Sequence, residues 1–149
     1  MGWTMKRILV ATDGSDGADR AVDYAAHLAK NYSADLIIVN VIGGEGILGN
    51  VFSRISHAQE LWLKELITSE SAEMLTKARD RARSAGIAMI QLESRTGDVA
   101  QTIIDIAREK EVDAIVVGKR GAGPIGGLLL GSVSQKLVSL AQQPVTVVP

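Results

Sequence analysis

The residues with the most chemical content form one run, Gly118-Lys119-Arg120-Gly121-Ala122-Gly123-Pro124-Ile125-Gly126-Gly127-Leu128-Leu129-Leu130-Gly131-Ser132. A glycine-rich segment that leads into a helix can hold a phosphate on backbone amides, and three such patterns overlap here. Gly121-x-Gly123-x-x-Gly126 matches the dinucleotide fingerprint letter for letter, but it stands in the wrong place. That fingerprint opens the first helix of a βαβ unit and needs an acidic ribose partner about 20 residues on. Here the chain ends one helix and one strand after Gly126, and no Asp or Glu occurs beyond Asp113. Nicotinamide and flavin cofactors fail on position. Gly126-x4-Gly131 followed by Ser132 approaches a Walker-type loop, yet the lysine that contacts the β- and γ-phosphates is missing. One spacing survives, Gly118-x2-Gly121-x9-Gly131-Ser132.

That spacing can seat an anion for physical reasons. The sequence predicts that Ser132 opens a helix with Gln135 three residues on, a capping-box arrangement. The first amides of such a helix, at the positive end of its dipole, form an anion site. Gly131 carries no Cβ to hold a phosphate oxygen away, and Gly118 and Gly121 are expected to let the chain turn sharply over a sugar or phosphate. Lys119 and Arg120 either add charge there or form a solvated basic pair.

Elsewhere the chemistry is thinner. Asp13-Gly14-Ser15 is a turn signal, and it closes the apolar run Ile8-Leu9-Val10-Ala11. Asp13 and Asp16 are the acids near the expected phosphates that could recruit Mg²⁺. His27 and His57 have no carboxylates at metal-ligand spacing. No dedicated catalytic set is visible, so any hydrolysis of a bound nucleotide is expected to be slow. The chain has no cysteine, which excludes disulfides and thiolate catalysis and is compatible with a reducing compartment. Its 16 basic and 17 acidic residues leave no positive excess for a nucleic-acid backbone. No apolar run approaches the roughly 20 residues of a membrane span, and the N-terminus lacks a signal-peptide pattern. The expectation is a cytoplasmic protein that binds neither nucleic acid nor membrane.

The elements that must position these residues alternate in period. Short apolar runs at Ile8–Ala11, Leu36–Ile42, Ile87–Leu92, Asp113–Gly118 and Pro144–Val148 read as strands. Helical patterns lie between them, one carrying Ala18, Ala21, Val22 and Ala25, a long one from about His57 to Ala85, one N-capped by Asp98, and a last one from Ser132 to Ala141. Residues 43–56 read as a glycine-rich loop. With 149 residues this is one α/β domain, doubly wound, with a five-stranded, mostly parallel, Rossmann-like sheet and helices on both faces. Ligands in such sheets bind at the carboxyl ends of the strands, where Thr12-Asp13-Gly14, Val41-Ile42-Gly43 and Gly118 to Ser132 all fall.

In that order, Asp13-Gly14-Ser15, Val41, Gly97, Leu128 to Ser134 and Pro144-Val145-x-Val147-Val148 resemble the universal stress proteins over nearly the whole chain. Gly118-x2-Gly121-x9-Gly131-Ser132 is that family's nucleotide-binding spacing. The resemblance implies a fold of the adenine nucleotide α-hydrolase type and a bound ATP, or ADP or AMP, with Mg²⁺ on the phosphates. It implies contacts from Thr12, Asp13, Val41, Gly118, Arg120, Gly121, Gly131, Ser132, Val133 and Ser134. Asp13 would meet the adenine or ribose end, and Val41 would offer backbone groups to the base. Asn40 departs from the pattern, because a histidine is frequent there. A homodimer through Val145–Val148 is also implied, and an unblunted β-branched edge strand independently favours pairing. The alternative is a monomer whose edge the 43–56 segment shields. Two other functions fit the scaffold. An adenylating ATP pyrophosphatase would need consecutive glycines where Asp13-Gly14-Ser15-Asp16-Gly17 stands. A nucleotide-free scaffold module would typically have lost the loop glycines.

Overall fold

The computed structural model describes residues 2–119 and 130–149. The elements run β1 (Arg7–Ala11), α1 (Asp16–Tyr32), β2 (Asp35–Ile42), α2 (Glu45–Phe52), α3 (His57–Ser84), β3 (Ile90–Thr96), α4 (Val99–Glu109), β4 (Ala114–Gly118), α5 (Ser132–Leu140) and β5 (Val145–Val148). Five parallel strands form one sheet in the order β3-β2-β1-β4-β5. The expected doubly wound α/β architecture is what the chain adopts.

Strand order and crossover hand together decide which helix covers which face. The chain steps from β1 to β2 to β3 in one direction, then returns past them to β4 and β5. Right-handed crossovers therefore send α1 and α3 to one face and α4 and α5 to the other. Side chains alternate accordingly. Ile8, Val10, Leu36 and Ile38 pack with the alanine face of α1 and with Leu75, Ala78 and Ala82 of α3. Leu9, Ile37, Val39, Ile115 and Val117 pack with Ile103 and Ile106 of α4 and Leu137 of α5. At the amino end of the sheet the Asp113 carboxylate accepts the backbone N–H groups of Lys6 at 2.7 Å and Arg7 at 3.0 Å, which pins β1 to β4.

Two boundaries differ from expectation. Residues expected to form a loop contain α2, closed by bonds such as Leu48 N–H to Gly44 C=O at 2.8 Å. Glycine disfavours a helix by only about 1 kcal/mol per residue, so glycine content alone did not forbid one. β3 begins and ends later than the apolar run suggested. Ile87 is buried beneath α1 and α3 rather than in the strand, while Glu93 and Arg95 continue the edge strand as an ion pair at 2.9 Å. Among the described residues no helix is long and apolar enough to cross a membrane.

Candidate functional site

The reversal of strand order leaves β1 flanked by β2 and β4, and the segments that leave β1 and β4 diverge above the sheet. The segment after β1 is tightly wound. Thr12 N–H donates to Val39 C=O at 2.8 Å, Thr12 Oγ1 accepts from Gly14 N–H at 3.1 Å, and Asp13 Oδ1 accepts from Ser15 N–H at 2.9 Å. Gly14 sits at φ +80°, where a side chain is strained. Ser15 then caps α1, its Oγ accepting from Ala18 N–H at 3.2 Å. Turn chemistry legible in Thr12-Asp13-Gly14-Ser15 thus fixes where Asp13 stands.

The ends of the glycine segment are tied together. Lys119 N–H donates to Val148 C=O at 2.7 Å, and Gly131 N–H donates to Lys119 C=O at 2.8 Å. The Ser134 hydroxyl is shared between Lys119 C=O at 2.8 Å and Gly131 C=O at 3.0 Å. Two expectations change here. The N-cap of α5 is Gly131, and Ser132 is the first helical residue, so the capping box of Ser132 and Gln135 does not form. Gly131 lies at φ −66° and ψ 163°, extended backbone that any residue adopts, so its missing side chain matters only for close approach. Gly118 does not turn the chain. It ends β4, where an added Cβ would lie 3.1 Å from the carbonyl carbon and oxygen of Gly17, so it lets the first turn of α1 come against the strand. Arg120 and Gly121 lie outside the described residues.

Val41 is aimed by strand geometry. Val39 C=O points to β1, where it meets Thr12, and Ile42 C=O points the other way to Gly97 N–H at 3.0 Å. Backbone groups alternate sides along a strand, so those of Val41 face the side from which β1 has departed. Its side chain packs in the layer under α4 and α5.

These elements enclose a cavity of about 380 Å³. Thr12, Asp13, Val41, Gly118, Gly131, Ser132, Val133 and Ser134 all line it, which places every described position expected from the sequence around one space. Sequence reasoning missed Ser15 and Ala18 of the α1 start, and Val99 and Ile103 of α4, which form an apolar wall. Their signal was available, because α1 and α4 both start from strand ends at the same edge as the glycine segment. Val99 and Ile103 lie on the apolar side of α4, a pattern that by itself indicates burial and no ligand.

Few ionisable groups join them. Asp13 lines the cavity and Asp16 does not, and no cluster of three or more His, Asp or Glu forms among the described residues. His27 pairs with Asn31 along α1, and His57 lies 3.9 Å from Glu60 in the first turn of α3. Among the described residues, the groups whose pKa is clearly displaced belong to surface pairs, none lining the cavity. A hydrogen bond to Glu109 and a second to Glu93 raise Arg95, Arg95 in turn holds Glu109 below the usual carboxylate range, and Asp23 raises Arg81. Among the described residues the cavity is lined by apolar side chains, hydroxyls and backbone, with Asp13 as its carboxylate.

The universal stress protein family pattern matches residues 4–149, so this chain belongs to the universal stress protein family. Universal stress protein YxiE of Bacillus subtilis is 34% identical over 145 residues, covering 95% of this chain and 97% of YxiE. Among solved structures, universal stress protein UspA from Lactobacillus plantarum superposes with a TM-score of 0.81 at 26% identity, covering 99% of this chain and 100% of that one. A universal stress protein crystallised in complex with cAMP superposes with a TM-score of 0.72 at 29% identity, covering 98% of both chains.

Proposed function

We propose that this chain is one nucleotide-binding domain that takes ATP, or its ADP and AMP forms, in the cavity at the carboxyl edge of the sheet. The observation that carries the reading is the convergence of the glycine-flanked start of α5, the Asp13 turn and the backbone of Val41 on a single space of about 380 Å³, a volume suited to a small-molecule ligand. A related universal stress protein has been crystallised with the adenine nucleotide cAMP, which supports the same ligand class.

The chemistry of the wall divides the ligand. Val41, Val99 and Ile103 offer an apolar surface for a base, with the Val41 backbone at its edge. Asp13 stands beside the ribose end, where a carboxylate accepts from sugar hydroxyls. The first amides of α5, from Ser132 to Ser134, face the phosphates with the positive end of the helix dipole. Arg120 and Gly121, which follow β4 in the chain, are proposed as further contacts to the nucleotide. Mg²⁺ would accompany the phosphates and be held by their own oxygens, since Asp13 is assigned to the ribose end. Without a base or metal cluster among the described residues to activate water, the role is a nucleotide-dependent switch in the stress response, with slow hydrolysis at most.

We also propose a cytoplasmic homodimer through β5. That strand is one of the two sheet edges, and Val138 and Leu140 of the preceding helix are exposed beside it. Denatured protein is expected to release ATP, ADP or AMP on chromatography, and calorimetry to detect added ATP. Binding of NADH without ATP would overturn the proposal, and stoichiometric release of pyrophosphate with a transferred adenylyl group would point to the adenylating enzyme instead.

A further inference from the structure

The side chains buried on the far side of the β1 turn make a connected chain that the nucleotide reading leaves unused. Asn40 and Ser71 are only 6% and 2% exposed, and they sit under the α3 face of the sheet. Asn40 Nδ2 donates to the Thr12 carbonyl at 2.8 Å. Asn40 Oδ1 accepts from Ser71 Oγ at 2.7 Å, and Ser71 Oγ lies 2.8 Å from Ser94 Oγ of β3.

Proton counting fixes the direction. A hydroxyl has one proton, and that of Ser71 is committed to Asn40 Oδ1, so Ser94 must donate to Ser71. Donation therefore runs Ser94 to Ser71 to Asn40 to Thr12 C=O. Met74 completes the surroundings. Its Sδ lies 3.7 Å from Asn40 Nδ2, and its side chain covers Gly14, where an added Cβ would meet it at 3.3 Å. The chain ends on the residue whose Oγ1 holds Gly14 N–H, one position before Asp13.

We infer that Asn40 is a positioning residue for the Thr12-Asp13-Gly14 turn, acting through a one-way hydrogen-bond relay from β3 and α3. The inference rests on the proposed nucleotide site for its functional meaning, because the turn it holds carries the carboxylate assigned to the ribose end. Only a neutral side chain with a donor and an acceptor in fixed relation satisfies both neighbours in this dry setting. An aliphatic residue would take the Asn40 donor from the Thr12 carbonyl and leave Ser71 with Ser94 alone. The charged groups of the packed elements stand apart from the relay. Glu93 and Arg95 alternate to the other face of β3, Glu70 and Glu73 on α3 are exposed, and Asp13 is engaged by Ser15 N–H.

Asn40→Asp tests this, because it keeps the shape and makes the donor depend on pH. At about pH 8 the carboxylate has no proton for Thr12 C=O, whereas at about pH 5 burial keeps the acid protonated and able both to donate and to accept. ATP affinity of Asn40→Asp, read beside wild type at each pH, is expected to be at least ~10-fold weaker at the higher pH and within ~3-fold at the lower. In the same proteins without nucleotide, NMR solvent exchange of the Gly14 and Ser15 amides, taken relative to wild type at the same pH, should be faster at the higher pH and match wild type at the lower. If Asn40→Asp does not fold, Ser71→Ala serves, with faster exchange at the same two amides as the expected result. Equal affinity loss at both pH values with unchanged exchange overturns the relay, as does unchanged exchange in Ser71→Ala. Should wild type bind no adenine nucleotide while the two amides still respond as stated, the nucleotide reading falls and the relay stands.

Discussion

Adding one methyl group at Gly118 should cost more than its size suggests. The new Cβ would lie 3.1 Å from both the carbonyl carbon and the carbonyl oxygen of Gly17, and 3.5 Å from Ala18 N. Carbon atoms pack favourably at about 3.5–4.0 Å, so the gap is short by several tenths of an ångström. The opposing atoms are backbone in the first turn of α1, fixed by the Ser15 cap, and cannot rotate aside. Relief requires the start of α1 to retreat from β4, at an overpacking cost of about 1–3 kcal/mol. For a domain of this size that lowers Tm by roughly 2–12 °C. Ser15 and Ala18 belong to the retreating turn and line the cavity, so ATP affinity should fall as well. Gly49→Ala provides the opposite control. It adds the same methyl group in α2, where nothing lies within 4 Å, and should raise stability by about 0.5–1 kcal/mol through helix propensity. Thermal melts followed by circular dichroism read both. A Gly118→Ala protein that melts at or above the wild-type temperature refutes the close-approach explanation.

Two other substitutions address the ligand and the assembly. Gly131→Val is sterically acceptable to a backbone at φ −66°, yet it places a branched side chain at the α5 amides. ATP binding should weaken at least ~10-fold, about 1.4 kcal/mol, with the fold retained, and unchanged affinity by calorimetry would remove Gly131 from the site. Val147→Lys places like charges near one another across the proposed two-fold and should split the dimer while leaving ATP binding in place. Sedimentation of wild type at micromolar concentration checks the premise, and a clean monomer ends it.

Alternation of apolar period set out the strands and helices, because each element's pattern is carried by neighbours in the chain. Turn chemistry did the same for the β1 turn, where Asp13, Gly14 and Ser15 use hydrogen bonds no more than three residues long. The spacing of Gly118, Gly131 and Ser132 was legible for the same reason, since a strand end and a helix start are local events. What failed was the reason assigned to particular residues. Gly118 reads as a hinge in sequence, but its constraint is Gly17, brought against it only when α1 docks on the sheet. Ser132 reads as a cap, yet the helix begins one residue earlier, with Ser134 bonded back to Lys119 and Gly131.

Asn40 shows the division most clearly. In the sequence it is one polar residue within an apolar strand and a departure from the family's usual histidine. Its partners Thr12 and Ser71, and Ser94 behind Ser71, come from three other segments and meet only after β2 is flanked by β1 and β3 and covered by α3. Periodicity and turn propensity depend on nearest neighbours, so the sequence by itself determined the five strands, the helices α1, α3, α4 and α5, and the edge of the sheet where the candidate site lies, while α2 was not legible in it. Close backbone approach and buried hydrogen bonds depend on how whole elements dock. Only the tertiary structure could decide which glycine spaces a helix, which serine bonds a strand end, and which asparagine holds the turn.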